Sequence, residues 1–231
     1  MKNKIQYIQK EQRRITDLVV KEFPNYYLTG GTALAFHFQH RFSEDLDFFS
    51  QKYTKKDPKE IMRYIAKETG FTYKFHAERD TPKMVSMQVY YLELTNKHML
   101  KIDFVKDYVQ NFNSIKDGLH SVDDIYYRKI YAAIGGYNKE DESGRTIATG
   151  RQSVKDLFDL YYLSAHYKPL SDVFFEYFRY DQAEQLNAWY TGFDRTETKL
   201  ALMDLVDKVD TGEVFKYLDN QILKGIPKKL Q

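Results

Sequence analysis

The chain of 231 residues contains no cysteine, which excludes disulfides and thiolate metal sites and fits a reducing cytoplasm. It has no run of about 18 apolar residues, so no transmembrane helix is expected. The opening "MKNKIQYIQKEQRRITDLVV" is charged and lacks the apolar core of a signal peptide. Charge of one sign is missing too: 35 Lys and Arg against 33 Asp and Glu leave a formal +2. That is too little to argue for nucleic-acid or membrane binding from the overall field. There are no internal repeats, no low-complexity tract, no histidine spacing that suits zinc and no Ser-His-Asp arrangement. What is present is 42% hydrophobic and 29% charged residues, the balance of a soluble globular protein of one large or two small domains. The 16% aromatic content, with 20 tyrosines, reads as a tyrosine-rich core or as stacking surfaces for bases.

Periodicity divides the chain. Ile5, Ile8, Ile15, Leu18 and Val19 recur at helical spacing and predict an N-terminal helix over 3–22. "YYLTGG" predicts a short strand entering a glycine turn, and "TALAFHFQ" a helix that Thr32 would cap. "DLDFFS" alternates as a strand, with Leu46 and Phe48 on one face and Asp45, Asp47 and Phe49 on the other. "DPKEIMRYIAKETG" has proline near its start and glycine past its end, as a helix should. Three β-like runs, "FTYKFHAE", "MVSMQVYYLEL" and "HMLKIDFVK", follow within 71–107. From Val122 onward only helical patterns occur, among them one long run, "LSDVFFEYFRYDQAEQLNAWYTGF", and a C-terminal pair. The polar, glycine-rich stretch 135–153 reads as an exposed connection. The expected architecture is α+β: a mixed-sheet half, 1–110, then a helical half, 111–231.

The chemistry concentrates in "GGTALAFHFQHRFSEDLDFFS". In a strand, residues two apart project from one face, so the Asp45 and Asp47 carboxylates can converge on a hard cation such as Mg²⁺ or Mn²⁺. Taken alone the pair could equally be a solvated acidic loop. Gly30 and Gly31, between strand and helix, would let backbone N–H groups approach a phosphate. Asp103 in "LKIDFV" points away from Ile102 and Phe104. If its strand lies beside that of Asp45 and Asp47, three carboxylates share a patch, and a divalent ion would relieve their repulsion. Otherwise Asp103 is an acid paired with Lys101 or Lys106. Three carboxylates beside a phosphate turn suit two-metal phosphoryl or nucleotidyl transfer, with Asp103 bridging to the attacking hydroxyl as its base.

These residues resemble a family. Gly30-Gly31-Thr32, His40-Arg41, Ser43 and Asp45-Leu46-Asp47 are similar to the first motif of the AbiEii/AbiGii nucleotidyltransferase toxins, in the DNA polymerase β-like superfamily. "DDIYYRKIYAAIGG", with Lys129, resembles the family's second motif, a helix whose lysine faces the nucleotide. "RQSVKDLFDLYYL" resembles the third, an acid pair three apart, here Asp156 and Asp159. Family members often carry arginine just before that first acid; here it is Lys155, which keeps the charge and loses the planar fork. The resemblance is spread from 28 to 164 and does not extend beyond about 165.

It implies a polymerase β-like N-terminal half whose helical partner completes the nucleotide pocket. It further implies NMP transfer from an NTP to an acceptor hydroxyl, with Mg²⁺ or Mn²⁺, two ions, held by Asp45, Asp47 and Asp103. Gly30, Gly31, Thr32, Ser43, Lys129, Lys155, Asp156 and Asp159 would bind nucleotide, the last two by contacting base or ribose or by orienting Lys129. The implied setting is an abortive-infection or toxin–antitoxin pair with a separate antitoxin, and RNA, at tRNA 3′ ends, is the favoured acceptor. Bland roles stand beside these: Thr32 and Ser43 as caps, Asp156 as a first-turn acid favoured by the helix dipole, Lys129 as a snorkelling lysine. His40 reads as a turn histidine or a metal ligand, Arg41 as a partner of the acids or of phosphate. "RR" at 13–14 and "PKK" at 227–229 read as solvated faces, with weak RNA contact as the alternative. The rival functions are transfer to a small molecule or protein, a non-catalytic NTP-binding regulator, or an acidic module that docks a basic partner.

Overall fold

Helix α1, Lys2–Glu22, buries Ile8, Ile15 and Val19 on one stripe, as the spacing predicts. The structure is a computed structural model and describes residues 2–80, 85–95, 98–135 and 150–229. The expected exposed connection lies mostly at 136–149, outside the described residues. The chain forms two compact units, Met1–Asp124 and Ile125–Gln231.

The first unit is built on a five-stranded sheet of β1 (Tyr27–Thr29), β2 (Leu46–Ser50), β3 (Thr72–Arg79), β4 (Met87–Thr95) and β5 (His98–Lys106). Their order is β1-β2-β5-β4-β3, with β2 and β5 parallel and the other pairs antiparallel, so the sheet is mixed as expected. Helix α2 (Gly30–Phe38) joins β1 to β2, and α3 (Asp57–Thr69) joins β2 to β3. Proline in the first turn of α3 and Gly70 at its C-cap, in the left-handed region at φ 77°, set its ends.

The register of β2 on β5 decides where chemistry can occur. Leu46 pairs with Ile102 and Phe48 with Phe104, and all four are fully buried. The two phenylalanine rings stack at 5.8 Å, with Tyr26 and Tyr90 edge-on to Phe104 at 6.0 Å. Burying each such ring is worth about 1.5–3 kcal/mol, so slipping the register by one residue, which would turn both outward, is strongly disfavoured. The same alternation that buries the phenylalanines puts Asp47 and Asp103 on the opposite face.

The segment after β5 belongs to the first unit. It returns to β1, where Leu28 N–H donates to Gly118 O (2.8 Å) and His120 N–H to Leu28 O (3.0 Å).

The second unit is helical among its described residues, as expected: most of α4 (Val122–Ile134), then α5 (Val154–His166), α6 (Leu170–Tyr177), α7 (Ala183–Thr191), α8 (Arg195–Leu205), α9 (Thr211–Leu218) and a final turn, α10 (Ile226–Lys228). The long helix expected over 170–193 is broken. Phe178 leaves α6 with extended backbone, its side chain buried and stacked at 5.0 Å on Tyr127. A single 3₁₀ turn, Tyr180–Gln182, then leads into α7. Tertiary burial of one aromatic overrides local helix propensity there. A π-helical run, Asp219–Gly225, follows α9. Among the described residues no helix is long and apolar enough to cross a membrane.

Candidate active site

The glycine turn is shaped by its neighbours. Thr29 ends β1 with extended backbone, and Gly30 opens α2 at φ 70°, a left-handed conformation that L side chains rarely adopt. A Cβ built on Gly30 would lie 2.8 Å from Asp47 Oδ2, so glycine is required for space as well as for φ. A Cβ on Gly31 would lie 2.6 Å from Arg41 Nη2 and 3.2 Å from Ser43 Oγ. The turn is thus flanked by an acid at one glycine and by a guanidinium and a hydroxyl at the next.

Thr32 does not cap α2, which starts two residues earlier. Its hydroxyl instead donates to Asp45 O and ties the helix to the loop before β2. Gln12 of α1, almost fully buried, donates to Ser43 O at 2.9 Å and holds the same loop from the other side. Arg41 is buried, with Nη1 donating to Phe42 O at 3.0 Å, and His40 is buried beside it in sequence.

Asp47 and Asp103 are direct partners across β2 and β5. Asp103 is 6% exposed; its Oδ2 accepts from Lys101 Nζ at 2.5 Å, and its Oδ1 is buried with no hydrogen-bond partner. Burial pushes the Asp103 carboxyl above the usual carboxylate range, and the Lys101 ammonium offsets this only in part. For Lys101, burial disfavours the charge, but the hydrogen bond and charge of Asp103, reinforced by Asp45 and Asp47, hold its pKa above the ordinary lysine value. Asp103 is therefore paired with Lys101 and not with Lys106, whose ammonium sits over the Tyr108 ring at 5.0 Å.

A divalent ion fits this donor set in chemistry: hard carboxylate oxygens, one of them buried and unsatisfied. The side chains as placed do not close around such an ion. Among the described residues no three His, Cys, Asp or Glu groups are gathered to hold a metal. Asp47 Oδ2 turns toward Gly30 and Asp103 Oδ2 toward Lys101, although the register brings the two backbones together.

A buried network fixes β1 behind the turn. Thr29 hydroxyl bonds His120 Nδ1 and His120 Nε2 bonds Asn111 Oδ1, each at 2.9 Å. Asn111 Nδ2 reaches Tyr27 OH at 3.2 Å, and Tyr27 OH donates to Asp107. His37 of α2 bonds His120 O at 2.9 Å. The Asn111 carbonyl oxygen can only accept, so His120 Nε2 carries a proton and donates to it. Sequence reasoning missed His120, Asn111 and Gln12. Only Gln12 carried a signal, a polar residue at an apolar position of the α1 stripe.

In the second unit, Lys129 Nζ lies 2.6 Å from Asp156 Oδ1 and 2.7 Å from Asp159 Oδ2, all three side chains being buried. Burial opposes the Lys129 charge, but Asp159 and Asp156 outweigh it and hold the ammonium above the ordinary lysine range. The spacing of three on α5 puts both acids on the lysine. The cation that also grips Asp156 is Arg151, through Nε and Nη2 at 2.7 Å, and not Lys155, which is exposed. Sequence reasoning gave Arg151 no role.

The fold is shared with solved structures. JHP933 from Helicobacter pylori is 21% identical, with a TM-score of 0.60 over 97% of this chain and 93% of that one. A second solved structure from H. pylori, described as a candidate nucleotidyltransferase, is 21% identical with a TM-score of 0.58 over 96% of each chain. Among curated proteins none matches. Residues 17–224 match the family described as nucleotidyl transferase AbiEii toxin, type IV toxin–antitoxin system, which takes in both the glycine turn with its acids and the Lys129 cluster. The chain therefore belongs to the AbiEii family of nucleotidyltransferase toxins.

Proposed function

We propose that this nucleotidyltransferase toxin moves NMP from an NTP to a hydroxyl of RNA, with tRNA 3′ ends favoured, and does so with Mg²⁺ or Mn²⁺. The observation that supports metal-dependent transfer best is the pairing of Asp47 with Asp103, whose Oδ1 is buried without a partner. Asp45, Asp47 and Asp103 are the residues that would hold the metal. Bound there, two divalent ions would neutralise the triphosphate and acidify the acceptor hydroxyl.

The chain's own groups supply the rest. Backbone N–H groups at the start of α2 face the phosphates, with Arg41 and Ser43 beside Gly31 adding a cation and a hydroxyl. Asp103 takes the proton from the acceptor hydroxyl, which bound divalent ions would acidify. The acceptor oxygen bonds to the α-phosphorus, the bond from that phosphorus to the bridging oxygen breaks, and pyrophosphate leaves. Lys129, Lys155, Asp156 and Asp159 stay candidates for nucleotide contact, and an antitoxin is the partner the family implies.

The test is transfer from each α-labelled NTP to total bacterial RNA with Mg²⁺, beside an Asp45→Ala control. Label in RNA that is lost in the control supports the reading. Transfer of label to another acceptor would replace RNA. Stabilisation by NTP without any transfer would make the protein a nucleotide-binding regulator.

A further inference from the structure

A cleft of about 280 Å³ opens between α1 and α2. Lys10, Gln12, Arg13 and Phe36 line it, together with Thr32 and Ser43, so its wall holds two cations and no carboxylate. Lys10 and Arg13 are three apart on α1 and share a face. Among the described residues neither makes an ion pair or hydrogen bond. Arg14, next in the chain, differs: it pairs with Glu11 and donates to Glu68 O at 3.0 Å.

The Arg13 guanidinium lies 3.8 Å from the centre of the Phe36 ring. The ring holds the guanidinium plane in place and covers one face, which leaves the N–H edge and the other face for a ligand. An arginine held in this way suits a phosphate oxygen pair along its edge and a base against its open face. The cleft is tied to the acids on two sides. Thr32 donates to Asp45 O, and Gln12 donates to Ser43 O two residues before Asp45.

We propose that the α1–α2 cleft seats one nucleotide of a single-stranded RNA acceptor, its phosphate on Lys10 and Arg13, beside the Asp45 loop. A metal-bound triphosphate needs carboxylates close by, and the cleft has none in its wall. A polynucleotide phosphate carries a single charge and needs only cations, a stacking plane and amides, which the cleft provides. The inference rests on RNA being the acceptor and deepens that reading.

The test uses the full chain and a fluorescein-labelled single-stranded RNA of about 12 nucleotides, a length within the usual range of such sites. Binding is followed by anisotropy across a salt series for wild type, for Lys10→Gln with Arg13→Gln, and for a control of equal charge on the same helix, Arg14→Gln with Lys21→Gln. Expected is at least a tenfold loss of RNA affinity and a shallower salt dependence in the cleft variant only, with unchanged thermal stabilisation by NTP and Mg²⁺. Equal losses in both variants would reduce the cleft to general surface charge and overturn the proposal. Loss of NTP stabilisation with RNA binding intact would assign the cleft to the nucleotide instead. A wild type that transfers label but does not bind RNA would end both the RNA reading and this one. Selective RNA loss in a protein without transferase activity would uphold the cleft and defeat the proposed reaction.

Discussion

Asp103 and Lys101 stand two residues apart on β5, on one face, joined at 2.5 Å with the buried carboxylate opposite Asp47. The ammonium neutralises part of the charge that a divalent ion would otherwise neutralise. It is also a single charge that reaches one oxygen of Asp103 and leaves the other unsatisfied.

Lysine 101 and a metal should therefore compete. Lys101→Met is expected to lower stability by about 1–2 kcal/mol, less than for a fully buried pair because the Lys101 side chain is 31% exposed. The same change should tighten Mn²⁺ binding about tenfold, which is roughly 1.4 kcal/mol of relieved competition. Mn²⁺ titration by calorimetry alongside denaturant unfolding checks both. Weaker Mn²⁺ binding in the variant would mean that the lysine helps hold the site together and does not compete.

Asp103→Asn keeps the shape and removes the charge and the base. Transfer should fall by about 10³-fold or more, while much of the NTP binding survives, since the proposed phosphate contacts are those of the glycine turn and not of Asp103. Activity near the wild-type level would remove Asp103 from the mechanism as base and as ligand.

Gly30→Ala tests the turn. The left-handed φ costs an L residue about 1–2 kcal/mol, and the new methyl would meet Asp47 Oδ2. Stability should drop by that amount, and transfer should drop further because Asp47 must move. A variant that is destabilised but as active per folded molecule as wild type would separate the turn from the acids.

How far the site could be read from sequence depended on period. Alternation placed Asp47 and Asp103 opposite Phe48 and Phe104, because a period of two leaves no other face for them; their direct register is set by the pairing of Leu46 with Ile102 and of Phe48 with Phe104. Glycine at 30 was visible as a turn, but the space that demands it is set by Asp47 on the neighbouring strand, a contact that no local pattern specifies. The three apart in Asp156 and Asp159 pointed at a shared helix side. Closure on Lys129 was one of the readings open for them, and the structure shows both contacts; that Arg151 and not Lys155 joins them depends on packing. The His120 chain onto Thr29 bridges 91 positions and left no trace in either period. The break at Phe178 was hidden for the same reason: its cause is burial against Tyr127, not a proline or glycine.

The Lys129 cluster gives a prediction specific to the second unit, because the one tryptophan of the chain, Trp189, lies there, fully buried, with its indole N–H on Arg151 O at 2.9 Å. Lys129→Met removes the cation between two buried carboxylates. Arg151 still reaches Asp156, but Asp159 is fully buried and loses the cation it shares with Asp156. A loss of about 3–5 kcal/mol is expected in unfolding followed by Trp189 fluorescence. Adding Asp156→Asn and Asp159→Asn to Lys129→Met should recover part of it, since the two carboxylates that shared the cation are then neutral amides. The pH dependence has a definite sign. Lys129 has a folded pKa above its unfolded value, so its contribution is complete below the unfolded pKa, about 10.4, and fades only as pH rises through the folded one. The gap between wild type and Lys129→Met should stay constant from about pH 6 to 9 as far as this ammonium sets it. A gap that closes within that window would mean that Lys129 is already losing its proton there, and that the carboxylates do not hold its charge as the geometry indicates.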